Sequence, residues 1–218
     1  MTANVNTSDN KISEEVLFLE SLKEKLGIII SSKEKNKDEK PQKKGNLGGQ
    51  AILRRAISGD PTHIIKVHEF MPRNSLNLSI WEEDKILIPV ACLFVYYPQK
   101  IDRVQDPKKR NFGRSCWNLA MDIDKTGQSK GTPRRFKALL DTSLTDIRSP
   151  LSNLVRQMKS RGVPIDYPQL LIDLQQWEHP KQYIQDNWAR TYWGAASLDP
   201  EPTPSPSEEG STSTIQTT

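Results

Sequence analysis

The middle of this sequence carries an excess of positively charged side chains that could bind a polyanion. Between Lys100 and Arg161 there are 15 Lys and Arg residues against 6 Asp, a net charge of +9 in 62 residues, whereas the whole chain of 218 residues carries only +4. Guanidinium groups grip phosphate through two parallel hydrogen bonds. A surface of one sign steers and holds nucleic acid or an anionic membrane. The competing interpretation is a solvated basic face that serves solubility.

Helical spacing shows which of these cations share a face. Arg134 and Lys137 are three positions apart, on the side of a predicted helix away from Phe136 and Leu140, whereas Arg135 projects elsewhere. Like charges at this spacing repel by a few tenths of a kcal/mol on a bare helix. An adjacent row of phosphates would reverse that cost, so the pair favours nucleic acid.

Further candidate cations lie on two other predicted helices and in one loop. Arg156 and Lys159 are also three apart, beside an apolar helical stripe. Arg114 lies opposite the apolar stripe of its own predicted helix, so we expect it to point outward. Trp117, one turn away, could stack on a base, but a second packing surface against another helix is the favoured interpretation. Lys130 is added as a candidate in the loop before the Arg134 helix.

Contacts of this kind position a nucleic-acid backbone and do not read its bases. The basic residues therefore predict binding without sequence preference. Two closely spaced short helices could instead form a helix-turn-helix, but no cluster of Gln, Asn and Arg opens a recognition helix. A free-standing helical DNA-binding regulator is the alternative function.

Other chemistry finds little support in the sequence. His63 and His68 are five apart, about 140° around a helix, which does not suit paired metal ligation. Asp122 and Asp124 are two apart and face away from one another on a helix. There is no Gly-rich phosphate loop and no HExxH, and the Gly-x-Ser-x-Gly at 127–131 lies in a predicted loop between two helices rather than on the strand-to-helix turn of a nucleophile elbow. The sequence therefore predicts no metal, no cofactor and no enzyme activity.

The cysteines, the N-terminal residues and the length of the apolar runs predict a cytoplasmic protein with no membrane partner. Cys92 and Cys116 both sit in apolar runs, where free cysteine behaves as a small hydrophobe. Residues 1–11 are polar and lack the features of a signal peptide. The longest apolar run, Ile86–Tyr97, is well short of the roughly 20 residues that span a bilayer.

The segments that position the cations all have the apolar spacing of helices, which predicts an all-α fold. Ile86–Tyr97 is apolar on every side and predicts a central buried helix closed by Pro98, with a buried strand as the competing interpretation. Two further helices are predicted at about 12–30 and 49–57. Others are predicted to start at Phe112, at Thr132 as an N-cap before Pro133, at Ser149–Pro150, at Asp166–Pro168 and at Pro180. Gly162 is predicted to end the helix that starts at Ser149–Pro150.

Two stretches have compositions that cannot form a core. Residues 31–46 hold six lysines among Glu, Asp, Pro and Gly, and we predict a flexible linker. Acidic residues offset half of those lysines, so a solvated spacer is favoured over a nucleic-acid contact. Residues 1–11 and the Pro/Ser/Thr-rich tail at 196–218 are predicted to be disordered.

Four segments, in order, resemble one known family. They are 49–56 (GQAILRRA), 111–114 (NFGR), 133–140 (PRRFKALL) and 163–174 (VPIDYPQLLIDL) with Trp177, followed by Trp188-Ala189-Arg190. Together they resemble CasB, the small subunit of type I-E CRISPR Cascade complexes, over about residues 12–195. The Lys-rich insert and the Pro/Ser/Thr tail depart from the family's pattern.

The resemblance implies an all-helical protein with a small N-terminal helical domain, here 12–98, and a C-terminal helical bundle, here 99–195. It implies a non-catalytic subunit present as a head-to-tail dimer beside other Cascade subunits. The family's basic surface holds guide RNA and both target DNA strands of the R-loop in antiviral defence. By carry-over, Arg54, Arg55, Arg114, Arg134, Arg135 and Arg156 match its basic positions, whereas Lys130, Lys137 and Lys159 come from the predicted geometry.

Overall fold

Helices alone make up the regular structure of the described chain. The computed structural model describes residues 13–30, 45–73, 76–101, 110–124 and 131–194, and no strand occurs within them. The all-α prediction is confirmed. The elements are α1 (Glu14–Leu26), α2 (Leu47–Ala56), α3 (Pro61–Val67), α4 (Ile80–Glu82), a π-helical turn (Glu83–Leu87), α5 (Ile88–Tyr96), α6 (Phe112–Asp124), α7 (Gly131–Leu140), α8 (Arg148–Arg161), α9 (Tyr167–Gln175) and α10 (Tyr183–Trp193).

Helix α5 lies at the centre of the molecule. Every residue from Ile88 to Val95 is buried, and the helix packs against α1, α2, α8 and α9. The central buried helix is confirmed, and the alternative of a buried strand is wrong. Pro89 does not break the helix, because it follows a π-helical turn in which the Ile88 N–H bonds five residues back to the Glu83 carbonyl.

Helix α1 ends earlier than its predicted range of about 12–30. Ser13 caps its start, and Gly27 ends it at a φ of 58°, a conformation that favours glycine. The predicted linker also ends earlier, because the Asn46 N–H bonds to the Leu26 carbonyl at 3.0 Å. The Asn46 side chain accepts from Gly49 at 2.9 Å and caps α2. Positions 45 and 46 therefore belong to the fold, while 31–44 lie outside the described residues.

Two predicted helix starts are wrong. Thr132 is not an N-cap, because α7 already includes Gly131 and Thr132 is buried inside its first turn. Ser149 does not cap α8, which begins one residue earlier after Ile147 and has no side-chain cap. In both cases the proline that follows sits within the first turns of the helix rather than at its first position.

The other predicted helix boundaries largely agree with the structure. Gly162 ends α8 at a φ of 69°, and the Asp166 side chain accepts from the Gln169 N–H at 3.0 Å to cap α9. The last helix starts at Tyr183 rather than at Pro180, because Gln182 adopts a left-handed conformation with a φ of 48°.

Aromatic side chains form the core between the C-terminal helices. Trp177 and Trp188 are both buried, with ring centroids 4.9 Å apart. The Asp173 carboxylate accepts from Trp188 Nε1 at 2.6 Å and from Gln169 Nε2 at 2.7 Å. Burial is the largest effect on this carboxyl and raises its pKa to about 6. A buried carboxylate thus ties α9 to α10.

One continuous hydrophobic cluster contains residues from α1 to α10. The Tyr167 hydroxyl on α9 lies 3.1 Å from the Leu93 carbonyl and 3.0 Å from that of Tyr97, at the end of α5.

The division at 98/99 into two domains stays a prediction. The predicted disorder of 1–11 and 196–218 concerns residues outside those described. In the described part of the chain, no helix is long and apolar enough to cross a membrane.

Candidate nucleic-acid interface

The outer face of α7 presents the pair that helical spacing singled out. Arg134 and Lys137 are both exposed, whereas Phe136 is fully buried and stacks on Tyr192 of α10 with centroids 4.4 Å apart. The aromatic core therefore fixes the orientation of α7. Arg135 projects elsewhere, as predicted, and donates from Nη1 to Gln157 Oε1 on α8 at 3.1 Å.

Two candidate cations from distant parts of the sequence meet at the C-terminal end of α5. Lys159 Nζ donates to the Tyr96 carbonyl at 2.7 Å and lies 4.0 Å from the centroid of the Tyr96 ring. Arg54 Nε donates to the Val95 carbonyl at 3.4 Å, and its Nη2 donates to Gln50 Oε1 at 3.1 Å. We call Arg54 and Lys159 the α5 cap pair.

The α5 cap pair has a structural role that the sequence does not reveal. The last carbonyls of a helix lack partners within the helix, and its C-terminal end carries partial negative charge, so cations there are stabilising. Partial burial, followed by the charge of Arg54, lowers the pKa of Lys159. Both side chains remain exposed, so capping leaves part of each cation at the surface.

Arg114 differs from its prediction. It is half-buried rather than pointing freely outward, because its guanidinium lies over the Trp117 ring, 4.3 Å from the centroid. Trp117 is half-buried as well and packs against the hydrophobic core, in keeping with the favoured packing role. Its ring therefore positions an arginine at the edge of a cleft.

The motif at 111–114 explains how Arg114 is held. Asn111 is buried, and its Nδ2 donates to Thr191 Oγ1 at 2.9 Å while its Oδ1 accepts from the Arg114 N–H at 3.1 Å. A Cβ at Gly113 would lie 2.3 Å from the Trp188 carbonyl oxygen, so only glycine allows α6 and α10 to pack this closely. Asn111 and Gly113 of this motif thus serve the fold.

The cleft beside Arg114 contains cations that helical spacing missed. It has a volume of about 460 Å³, and Lys100, Arg110 and Arg114 line it together with Asp166. Arg110 Nε lies 3.3 Å from Asp166 Oδ2. Both Lys100 and Arg110 belong to the basic segment, but neither lies within a predicted helix, so periodicity assigned them no face.

The other candidates divide into exposed positions and one undescribed position. Arg55 on α2 and Arg156 on α8 are exposed. Lys130 lies outside the described residues. Arg148, which contributes to the +9 segment, is half-buried and donates to the carbonyls of Ala56 at 3.3 Å and Asp84 at 3.1 Å. The excess charge of the segment is therefore larger than the charge that it presents to a ligand.

The described side chains offer no site for a metal ion. Within those ranges, no group of three or more His, Cys, Asp or Glu residues comes together in a way that could hold one. Burial raises the pKa of Cys92 to about 12 and that of Cys116 well above its usual value. Both thiols are buried inside the core and remain protonated at neutral pH.

Comparisons with known proteins give one family. The family model for CRISPR-associated protein Cse2 matches residues 49–193, which include all nine candidate cations. A CRISPR-associated protein Cse2 from Thermus thermophilus is 32% identical over 92 residues, which cover 42% of this chain and 49% of that protein. The alignment thus spans about half the length of this relative.

Solved structures agree in fold. The crystal structure of M. ruber CasB has a TM-score of 0.60 and 21% identity, covering 86% of this chain and 97% of that one. The crystal structure of a Cse2-family CRISPR-associated protein from Thermus thermophilus has a TM-score of 0.58 and 25% identity, covering 84% of this chain and 99% of that one. The likeness therefore extends over nearly the full length of both solved chains.

Proposed function

The chain belongs to the CasB/Cse2 family, the small-subunit family of type I-E CRISPR Cascade, and we propose that it is a non-catalytic subunit that holds nucleic acid along a basic surface. In this role it binds guide RNA and both DNA strands of the R-loop, beside other Cascade subunits and a second, head-to-tail copy of itself. The observation that carries the proposal is the exposed Arg134 and Lys137 pair on α7, inside the range of the family match.

The energetics of R-loop formation suit such a subunit. Exchanging a DNA duplex for an RNA–DNA heteroduplex is nearly balanced in free energy, so contacts to the backbone can tip it. A subunit that neutralises phosphates without reading bases contributes in this way at any target sequence. Arg55, Arg156 and the exposed parts of the α5 cap pair extend the proposed surface beyond α7.

The salt dependence of R-loop formation tests this proposal. The chain is assembled with the other Cascade proteins and a guide RNA, and target binding is measured over a range of salt concentrations. In the double variant Arg134→Ala, Lys137→Ala, we expect weaker binding and a log–log slope shallower by about 1.4 to 1.8, because each phosphate contact contributes about 0.7 on a single strand and about 0.9 on a duplex.

A matched control removes the same charge elsewhere. The double variant Lys66→Ala, Arg73→Ala changes two exposed cations on and after α3, and we expect its slope to equal that of the unmodified complex. An unchanged slope in the α7 variant, with assembly intact, would contradict the assignment. If the isolated chain bound one duplex with nanomolar preference over random DNA, the free-standing regulator would replace the Cascade subunit.

A further inference from the structure

The start of α7 holds a buried hydroxyl that lacks a hydrogen-bond partner. Thr132 is 1% exposed, and its Oγ1 has no partner among the described residues. A buried hydroxyl without a partner carries a free-energy penalty, which a bound acceptor would relieve. Thr132 lines a cleft of about 220 Å³ between the start of α7 and the ends of α6 and α8. Thr132 thus lines this cleft, and its hydroxyl finds no acceptor in the described chain.

Positive charge surrounds the same cleft. Arg135 and Arg161 both line it. The Arg135 guanidinium donates to the neutral Gln157 Oε1, whereas Arg161 Nη1 lies 3.6 Å from Asp122 Oδ2. A Cβ at Gly131 would lie 3.0 Å from Arg135 Nη1, so this guanidinium lies directly over the start of the helix. Among the described side chains here, the two arginines and Asp122 leave a net positive charge.

The helix itself favours an anion at this position. The first N–H groups of a helix lack acceptors within the helix, and its N-terminal end carries partial positive charge, so anions bind there. Pro133 has no N–H to donate in the first turn of α7. The Thr132 hydroxyl is a side-chain donor next to that position. The volume is below the roughly 300–1,000 Å³ of pockets that enclose drug-sized ligands, which suits a single tetrahedral anion better than a whole nucleotide.

We propose that this cleft, named the α7 phosphate cleft and defined by Thr132, Arg135 and Arg161, binds one backbone phosphate of the nucleic acid held by the complex. The proposal rests on the proposed function for its source of phosphate. The Thr132 hydroxyl donates to a phosphate oxygen, while the two guanidinium groups supply charge. Because a phosphate diester only accepts hydrogen bonds, the site requires a hydroxyl that is not already donating elsewhere.

The variant Thr132→Val removes the donor and retains the shape of the side chain. We expect the assembled complex to bind its target about tenfold more weakly, because the hydroxyl donates to a charged group. We also expect the thermal midpoint of the isolated chain to rise or stay unchanged, because a buried donor without a partner is gone. Thr132→Ser should restore most of the affinity.

Ser160 provides the control within the same cleft. It lines the cleft, but its hydroxyl already donates to the Gln157 carbonyl at 2.8 Å. We therefore expect Ser160→Ala to leave target binding unchanged. A purely structural role for Thr132 would lower the stability of Thr132→Val and leave the affinity of the folded complex unaltered.

A scan of neutral linkages identifies the source of the phosphate. Single methylphosphonates are placed along the guide-complementary DNA strand, the displaced strand and the guide RNA. We expect one linkage at which the neutral group weakens wild-type binding about tenfold but weakens Thr132→Val much less. In a separate titration of the isolated chain, inorganic phosphate alone is followed through the amide resonances of Gly131 and Thr132.

The outcomes separate this site from the function on which it rests. If Arg134→Ala, Lys137→Ala weakens binding but Thr132→Val does not, the cleft is overturned and the proposed function stands. If neither variant changes binding, both are overturned. If inorganic phosphate binds through Thr132 but no linkage couples to it, the cleft holds free phosphate and its assignment to a nucleic-acid backbone is wrong.

Discussion

The C-terminal end of α5 and the outer face of α7 each hold two cations, but their surroundings differ. At α5, Arg54 and Lys159 each donate to a main-chain carbonyl. At α7, Arg134 and Lys137 are exposed, and the described residues contain no hydrogen-bond or ion-pair partner for either side chain. Equal charges thus serve different purposes: the first pair stabilises a helix end, and the second gains a counter-charge only from a ligand.

This difference changes how the +9 segment is interpreted. A count of charges treats Arg148, Lys159 and Lys137 alike, although their surroundings form a series. Arg148 is half-buried and hydrogen-bonded, Lys159 is exposed and hydrogen-bonded, and Lys137 is exposed with no hydrogen bond to the described chain. Loss of a bonded cation should lower stability, whereas loss of an unbonded one should lower only nucleic-acid binding. The predictions that follow test this series through the free energy of unfolding.

Arg148 should show the largest effect. It bridges the carbonyls of Ala56 and Asp84, and burial lowers its pKa. Arg148→Met keeps an apolar stem but removes two charge-assisted hydrogen bonds, so we expect a loss of about 4 kcal/mol in the free energy of unfolding. Urea unfolding of the isolated chain measures it. A loss below about 1 kcal/mol would show that these bonds do not support the fold.

Asp173 extends the comparison to a buried anion with no cation bonded to it in the described residues. Its pKa in the folded chain is about 6, above the usual value for an aspartate, so the folded state takes up a proton before the unfolded state does. Stability from this carboxyl should rise by roughly 3 kcal/mol as pH falls from above about 6 to below about 4. Asp173→Asn should remove that rise.

The control for this pH dependence is an exposed carboxylate. Asp186 pairs with Arg190 at 2.7 Å on the surface of α10, and Asp186→Asn should leave the rise in place. Unfolding curves recorded from about pH 4 to about pH 7 for the two variants and the unmodified chain make the comparison. A rise that persists in Asp173→Asn would assign it to other groups.

Much of the fold could be predicted from the sequence because its signals are local. The apolar stripes and the glycine stop at Gly162 depend on neighbouring residues and placed most helices. Helix starts were less reliable: Thr132 and Ser149 look like N-caps but lie inside their helices. A hydroxyl before proline is a start signal only when its backbone is extended, and tertiary packing decides that.

The candidate site was harder to predict because it depends on tertiary contacts. The α5 cap pair joins α2 to α8 across the end of α5, and no spacing rule connects such distant positions. Arg114 was expected outside, but the nearby Trp117 ring holds it half-buried. Helical spacing succeeded for Arg134 and Lys137 because their exposure follows from the buried Phe136 on the same helix.

The smallest expected difference in stability is between two cations on one helix. Lys159 and Arg156 are three residues apart on α8 and both exposed, but of the two only Lys159 has a hydrogen bond to the described chain, at the Tyr96 carbonyl. Lys159→Ala should lower the free energy of unfolding by about 1 kcal/mol through loss of the helix cap. Arg156→Ala should change it by less than about 0.5 kcal/mol, while both variants weaken nucleic-acid binding in the assembled complex. Equal losses of stability in the two variants would mean that the hydrogen bond to the Tyr96 carbonyl does not stabilise the fold, and that Lys159 acts like the exposed cations of α7.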